Sequence, residues 1–460
     1  MKRISRRGVL AALGVGVAGT VALTGCASLQ AVGSQGTSSA SAGGVTNGYL
    51  AADSLHSVEI TVDQSAYQEM ITAYTSNQTK NWIEATVTVD GVAHEKAGLK
   101  LKGNSSLQGI SADSEPQKLP WLVRFDKFVD GANHDGMTRM VIRASSSTSA
   151  LNEAVALDLL AKTGLASEKA AHISLSVNGS DPVLRLTCQD LDESWVGQNF
   201  DVAGLLYKAE STGDYTYRGT DESAYKDVFD QETGKANLTP LIEFLQFINE
   251  SSDADFQSGL AQRVDVDKLV TYLAFEDVID NFDDITGPGN NSFLWWAEQA
   301  NQMTVVAWDH NCAFGLKPGA GQQGQGGGGQ PPGGGGQDQG QPPSGGQQPG
   351  GGQPPGDGGA PSNGQAPTGQ PPGGAGGQQP GGGGSQTKAN ALVDRFNSLM
   401  DGETRVSAER DRLKQELYTS GVAQTVLDAR AKVLTDQAGS LIEQSAVEAD
   451  KQTIAAYFTT

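Results

Sequence analysis

Trp82-Ile83-Glu84-Ala85-Thr86-Val87-Thr88-Val89-Asp90-Gly91 sets the fold class of the first half of this chain. Apolar and polar residues alternate through it, as they do in a half-buried strand, where successive side chains point to opposite faces. Asp90-Gly91 is a hairpin signal that returns the chain into Gly98-Leu99-Lys100-Leu101-Lys102. Upstream, Ser57-Val58-Glu59-Ile60-Thr61-Val62 alternates in the same way. Downstream, strands are expected at 121–125, 138–143, 173–177, 184–187 and 205–208. One helix, 149–163, interrupts them, with Leu151, Ala154, Val155 and Leu159 on one face and Gly164 as its stop.

The period changes after residue 238. Apolar residues recur at helical spacing over 238–249 and 266–279, a strand pair follows at 293–296 and 303–308, and amphipathic helices are expected at 389–399, 406–417 and 422–434. A β-rich half followed by a helical half is an α+β arrangement with a cleft between two lobes. Residues 318–385 hold 30 of the 60 glycines and 13 of the 18 prolines, with no aromatic residue. Such a stretch lacks the apolar surface that offsets ordering entropy, so it reads as a disordered Gly/Gln/Pro loop inserted inside a fold.

The 460 residues carry 53 acidic and 32 basic groups, a net charge of -21. With no basic stripe anywhere, nucleic acid is excluded as the main partner. Lys2, Arg3, Arg6 and Arg7 precede an apolar run from Val9 to Leu23 that is too short and too rich in Gly and Ala to anchor as a spanning helix. It reads as an export signal. Ser5-Arg6-Arg7-Gly8-Val9-Leu10 resembles the twin-arginine signature, and Leu23-Thr24-Gly25-Cys26 resembles the lipobox, whose cysteine is lipidated. Without the four leader cations the charge is -25, 28 basic against 53 acidic groups, so membrane attachment is expected from lipid on Cys26. The expected location is the outer face of the bacterial cell membrane, with 34–48 as a flexible tether. Only Cys188 and Cys312 remain, which excludes a disulfide-dense scaffold and a multi-cysteine zinc site. Their apolar surroundings favour two buried free thiols over a single disulfide.

Gly319-Ala320-Gly321-Gln322-Gln323-Gly324 fits a dinucleotide-binding pattern, yet no helix can follow it in a Gly/Gln tract. Phosphate-loop lysine, nucleophile-elbow and paired-histidine zinc motifs do not occur in the sequence. The densest chemistry lies in Asp280-Asn281-Phe282-Asp283-Asp284, Asn290-Asn291-Ser292-Phe293-Leu294-Trp295 and Val306-Ala307-Trp308-Asp309-His310-Asn311-Cys312-Ala313-Phe314-Gly315. Carboxylates and amides flanking a strand pair can converge on a hard cation, as magnesium is held against phosphates. Solvated turn residues are the plainer alternative. Asp309 argues against it, because a charge between Val-Val-Ala-Trp and Ala-Phe-Gly is expected near the interior, where it needs a metal or a partner.

Together with Leu101-Lys102-Gly103-Asn104-Ser105-Ser106, Pro116-Gln117-Lys118 before Trp121-Leu122-Val123-Arg124-Phe125, and Leu206-Tyr207-Lys208, these segments resemble the CotH kinases, atypical relatives of protein kinases. The resemblance covers roughly residues 50–316 and the terminal helices. It implies an atypical protein-kinase-like two-lobed fold and ATP- and Mg-dependent phosphorylation of Ser or Thr in a surface or secreted protein. It implies Asp283 as the residue that orients or deprotonates the attacking hydroxyl, and Asp309 and Asn291 as magnesium ligands. Lys102, Lys118 and Lys208 would face nucleotide phosphates, with backbone N–H groups of Gly103, Asn104, Ser105 and Ser106 offered beside them. Lys118 and Lys208 read equally as strand-edge lysines. The chain departs from the family pattern in three places: Lys102 stands for the usual Arg, Gln189 for a common acidic residue, and Asn311 for the second Asp of Trp-Asp-x-Asp.

The expected organisation is an export signal with lipobox (1–26), a tether (27–50), a CotH kinase-like domain (51–316), the low-complexity insertion (317–387) and C-terminal helices completing the domain (388–460). Two rival functions remain open at this level. One is a catalytically inactive kinase-fold surface binding or structural lipoprotein. The other is a cell-wall carbohydrate hydrolase with paired carboxylates.

Overall fold

The computed structural model describes residues 45–46, 49–144, 146–210, 213–287, 291–317 and 390–459. The export signal, Cys26, Gly319 to Gly324 and the rest of the Gly/Gln/Pro tract lie outside the described residues.

Strands β1 (Val45–Thr46) and β2 (Tyr49–Leu50) form a short antiparallel ladder. They lead into β3 (His56–Val62), helix α1 (Gln64–Asn77), β4 (Ile83–Val89), β5 (Val92–Leu101), β6 (Trp121–Arg124), β7 (Arg139–Ile142), helix α2 (Leu151–Leu160), β8 (Ala170–Val177) and β9 (Val183–Cys188). Seven of these strands close a barrel in the order β3-β4-β5-β6-β7-β9-β8. Alternation drives it: Val58, Ile60 and Val62 of β3 and Ile83, Ala85, Val87 and Val89 of β4 all point into one apolar interior. Asp90 and Gly91 both have positive φ, 48° and 83°, which matches the turn to the right-handed twist of the strands it joins. Closure comes from a parallel pair, β3 with β8, in which His56 faces Ile173.

The barrel half contains more helix than the single segment 149–163 that the sequence suggests. Helix α1 starts at an Asp63 N-cap, whose carboxylate accepts from Ala66 N at 2.9 Å, and buries Tyr67, Met70 and Ile71 against the barrel core. Tyr74 and Ala66 extend this apolar stripe at helical spacing through a run otherwise rich in Gln, Ser and Thr. Helix α3 (Glu193–Asn199), capped by Asp192, is short of apolar signal.

Beyond the barrel come β10 (Gly204–Ala209), β11 (Phe229–Gln231), helices α4 (Thr239–Glu250), α5 (Asp253–Gly259) and α6 (Val266–Val278), and strands β12 (Ser292–Ala297) and β13 (Gln302–Ala307). The four strands form an antiparallel sheet ordered β11-β10-β12-β13. Helices α7 (Ala391–Leu399), α8 (Gly402–Leu413), α9 (Val422–Gln437) and α10 (Gln444–Ala456) follow. The last is absent from the sequence expectation, and α8 begins four residues before its expected start. Leu241 and Leu245 of α4, Leu392 and Phe396 of α7 and Leu427 and Leu434 of α9 share one core. Segments on both sides of 318–389 therefore build it together.

Helix α2 is buried almost all round, and it belongs to this second core although barrel strands flank it in sequence. Arg430 of α9 clamps it by a two-pronged pair to Asp158, Nε to Oδ2 at 2.6 Å and Nη2 to Oδ1 at 2.7 Å. Cys188 and Cys312 are buried free thiols.

Candidate active site

Three chain segments reach the same end of the four-stranded sheet. Lys208 near the end of β10 pairs with Phe293, and Ser292 at the start of β12 pairs with Ala307 at the end of β13. Lys208, Asn291 and Asp309 thus leave the sheet together. The Asn291 amide donates to Asp283 Oδ2 at 2.9 Å, fixing one carboxylate oxygen. Asp309 follows Trp308 with φ at 66°, a left-handed turn that Asp tolerates. Burial pushes the Cys312 thiol up to about 12, helped by the carboxylates of Asp309 and Asp283. The structure therefore brings Asp283, Asn291 and Asp309 together. Lys208 joins them, its ammonium 5.6 Å from the Trp308 ring centroid and 2.6 Å from Glu210 Oε1.

Asp309 has a protein partner, Arg143 at the end of β7, which forms an ion pair with Oδ1. Arg143 Nε also lies 2.8 Å from Glu153 Oε1 on α2. Burial opposes the guanidinium charge, but Asp309 and Glu153 outweigh it and hold Arg143 well above its ordinary range. Burial lifts Glu153 in spite of Arg143, and it pushes nearby Glu168 up to about 8. Arg185 braces Arg143 from behind, donating from Nε to the Arg143 carbonyl at 3.0 Å and from Nη1 to the Gln117 carbonyl at 2.7 Å.

Beneath the sheet end, Glu276 of α6 accepts from Asn281 Nδ2 at 2.8 Å and stands 3.2 Å from His310 Nε2. It ties the 281–284 loop to the turn after Asp309. Asp284 accepts from Thr286 N and Oγ1, and burial followed by Glu276 pushes its carboxyl up to about 6.

A second cluster lies at the end of β5. Lys102 Nζ donates to Asp190 Oδ1 at 2.9 Å, and Arg139 reaches the other oxygen at 3.3 Å. Burial works against the Lys102 charge, yet Asp190 prevails and raises it. Asp190, one position after Gln189, is thus the acid that meets Lys102 and Arg139. Gly103 has φ at 104°, and a Cβ there would collide with Ser106 Oγ, so the Gly103-Asn104-Ser105-Ser106 turn requires glycine. Lys80 Nζ donates to the Gly103 carbonyl at 2.6 Å and to Asn104 Oδ1 at 3.1 Å. Lys118 stands apart, 61% exposed and ion-paired with Glu115. No contact among the described residues joins it to the other candidates.

Lys80, Arg143, Glu153 and Asp190 escape a reading of the sequence. Only Glu153 leaves a trace, an acid inside Leu151-Asn152-Glu153-Ala154-Val155, where a buried charge demands a partner. Among the described residues, no group of three or more His, Cys, Asp or Glu side chains is arranged to hold a metal. The oxygens of Asp309 and Asn291 still suit magnesium, which takes one or two protein ligands and completes its shell with water and phosphate.

The family model for CotH kinase proteins matches residues 99–344, more than half of the 460-residue sequence. The chain belongs to the CotH kinase family. Inner spore coat protein H of Bacillus subtilis (strain 168) is 23% identical to it over 173 residues, 36% of this chain and 47% of that protein. The match thus spans about half of that relative's length.

Proposed function

We propose that this chain is an extracytoplasmic CotH-type kinase that transfers the γ-phosphate of ATP to Ser or Thr hydroxyls of surface or secreted proteins, using Mg. One observation carries the reading: the Asn291 amide orients Asp283 at the sheet end from which Lys208 and Asp309 also leave. Lys208 lies over the Trp308 ring, next to Asp309 in the chain. A cation suited to phosphate thus stands at the same sheet end as oxygen donors suited to magnesium.

Phosphoryl transfer asks a protein for positioning and charge neutralisation more than for covalent chemistry. Asp283, oriented by the Asn291 amide, would accept the hydroxyl proton of the substrate as it attacks. Lys208 and Lys102 would hold phosphate oxygens, with the Gly103 to Ser106 turn close by. Asp309 and Asn291 would hold Mg, which when bound neutralises phosphate charge. Lipid on Cys26 and the 27–50 tether would place this site at the outer face of the membrane, where the substrates are exported proteins.

A second reading, an inactive kinase-fold surface binding or structural lipoprotein, draws on one contact. Arg143 neutralises Asp309, and Asn311 supplies no second acid beside it. Incubating the full chain with labelled ATP, Mg and envelope proteins separates the two. The kinase reading expects Mg-dependent incorporation that falls to background in Asp283→Asn and Asp309→Ala; Asp283→Asn should melt near wild type, whereas Asp309→Ala also removes an ion pair of Arg143 and should melt lower. Mg-dependent ATP binding without transfer would establish the inactive form. Absence of both would reject nucleotide chemistry altogether.

A further inference from the structure

Backbone strain marks the turn that follows Asp309. Phe314 is buried and holds φ at 60°, and Asp280 holds φ at 49°. A bulky side chain adopts that left-handed region only where its surroundings over-determine it, and such strain gathers at working sites. Backbone bonds join the two strained positions. Phe314 N donates to the Ile279 carbonyl at 2.5 Å and Gly315 N to the Asp280 carbonyl at 3.2 Å, a ladder between the segment after Asp309 and the segment before Asp283.

The groups that hold this ladder come from the short 3-10 turn after α10, Tyr457–Thr459. Tyr457 Oη donates to Asp280 Oδ2 at 3.1 Å, and the same hydroxyl blocks the place a Cβ on Gly315 would take. The rings of Tyr457 and Phe458 both meet the Phe314 ring edge-on, with centroids 5.7 and 6.1 Å away. Phe458 rests in turn on Tyr418, whose hydroxyl donates to the Val278 carbonyl at 2.7 Å. Helix α10 also reaches the other flank of the site. Asp450 Oδ2 accepts from Ser149 N at 3.0 Å just before α2, and Asn152 of α2 donates from Nδ2 to the Asn311 carbonyl at 2.7 Å.

Building on the kinase reading above, we propose that Tyr457 and Phe458 are positioning residues for the metal site, a latch that holds the ladder between 279–280 and 314–315 and so sets Asp309 against Asp283. The latch acts through the backbone, and neither ring is a catalytic group. Asp309 is then steadied from two directions, by Arg143 from the barrel and by the latch from α10. Once the latch is lost, Phe314 relaxes out of its strained conformation, and Asp309 moves from the place where it would share Mg with Asn291.

The test compares the full chain with Phe458→Ala and Tyr457→Phe by two readings: amide hydrogen exchange over 309–317, and the Mg concentration that half-saturates ATP binding. In Phe458→Ala the Phe314 and Gly315 amides should exchange faster while barrel amides keep their rates. The Mg midpoint should rise about fivefold for the loss of the aromatic contacts. Tyr457→Phe keeps its ring and loses only the bond to Asp280, so its midpoint should rise about twofold. A midpoint reports the folded molecules alone, so a smaller folded fraction would not move it. Unchanged exchange at Phe314 and Gly315 in both variants would disprove the latch and leave the kinase reading standing. Faster exchange with an unmoved Mg midpoint would make Tyr457 and Phe458 packing residues only and overturn the proposal. If wild type shows no Mg-dependent ATP binding, the kinase reading fails and the positioning role falls with it.

Discussion

The barrel and the sheet-and-helix core solve burial in opposite ways. The barrel interior takes its side chains from two stretches on either side of α2, Tyr49 to Ile142 and Ala171 to Val177, and fills itself with aliphatic and aromatic groups. The second core gathers segments from Ala150 to Ile454, and where it meets the barrel it buries Glu153, Glu168, His172, Arg185, Glu276, Asn281 and His310. An apolar interior is stabilised by area removed from water and tolerates each loss as a cavity. A buried ionic junction gives little net stability, yet removing one member leaves its partners charged in a low dielectric. The difference shows where the molecule carries chemistry: the polar groups lie under the candidate site, and the barrel is its support.

Arg143→Met would break this contrast most severely. It leaves Asp309 and Glu153 without their shared cation and should lower unfolding free energy by about 4 kcal/mol in denaturant titrations. A loss below that of a barrel cavity would show the junction to be no more sensitive than the barrel. Leu99→Ala supplies the barrel standard, with an expected cost of about 3 kcal/mol that should not vary with pH.

Glu168→Gln sharpens the comparison in the opposite direction, because its effect should depend on pH. Burial raises this carboxyl from an ordinary 4.5 to about 8. Between those values the folded protein keeps a proton that the unfolded chain has released, so the contribution of Glu168 falls as pH rises through this window and levels off above it. The Gln variant should match wild type near pH 4.5 and melt a few degrees higher (about 2–4 °C) at pH 8. Parallel melting curves across that range would remove Glu168 from the buried network. Smallest of all, replacing 320–384 by a short Gly/Ser link should leave the melting temperature nearly unchanged, since that composition offers no core. A large drop would mean that the tract packs on the fold.

What could be read in the sequence follows from how local each contact is. Period-2 alternation places β3 and β4 almost to the residue, and Asp90-Gly91 places the hairpin from β4 into β5, because strand and turn are encoded by neighbours. Helix α1 is legible in the same way, since Tyr67, Met70, Ile71 and Tyr74 stand at i, i+3, i+4 and i+7, yet the Gln, Ser and Thr residues around them make the run look polar. The same rule divides the site. Asp283, Asn291 and Asp309 fall within one short strand pair with its flanking turns, so their convergence is local. Lys80 meets Gly103 at the open end of the β4–β5 hairpin, whereas Arg143 meets Asp309 over 166 positions and Lys102 meets Asp190 over 88. Such contacts arise from strand register, and no spacing rule announces them. Helix α2 misleads in its own way: its nearly unbroken apolar run signals burial on every side, but not which core receives it.

The parallel pairing of β3 with β8 also sets a timetable for folding. Residues 56–62 cannot find their last neighbour until 170–177 is available, and the connection between them passes through α2, which packs into the other core. A closure so distant in sequence is entropically late and slows folding relative to a simple meander. A chain cut after β7 would present β3 as an open edge, a template for pairing with other chains. Closing that edge commits α2 to its place, so the barrel and the helical core should reach the native state in a single cooperative step.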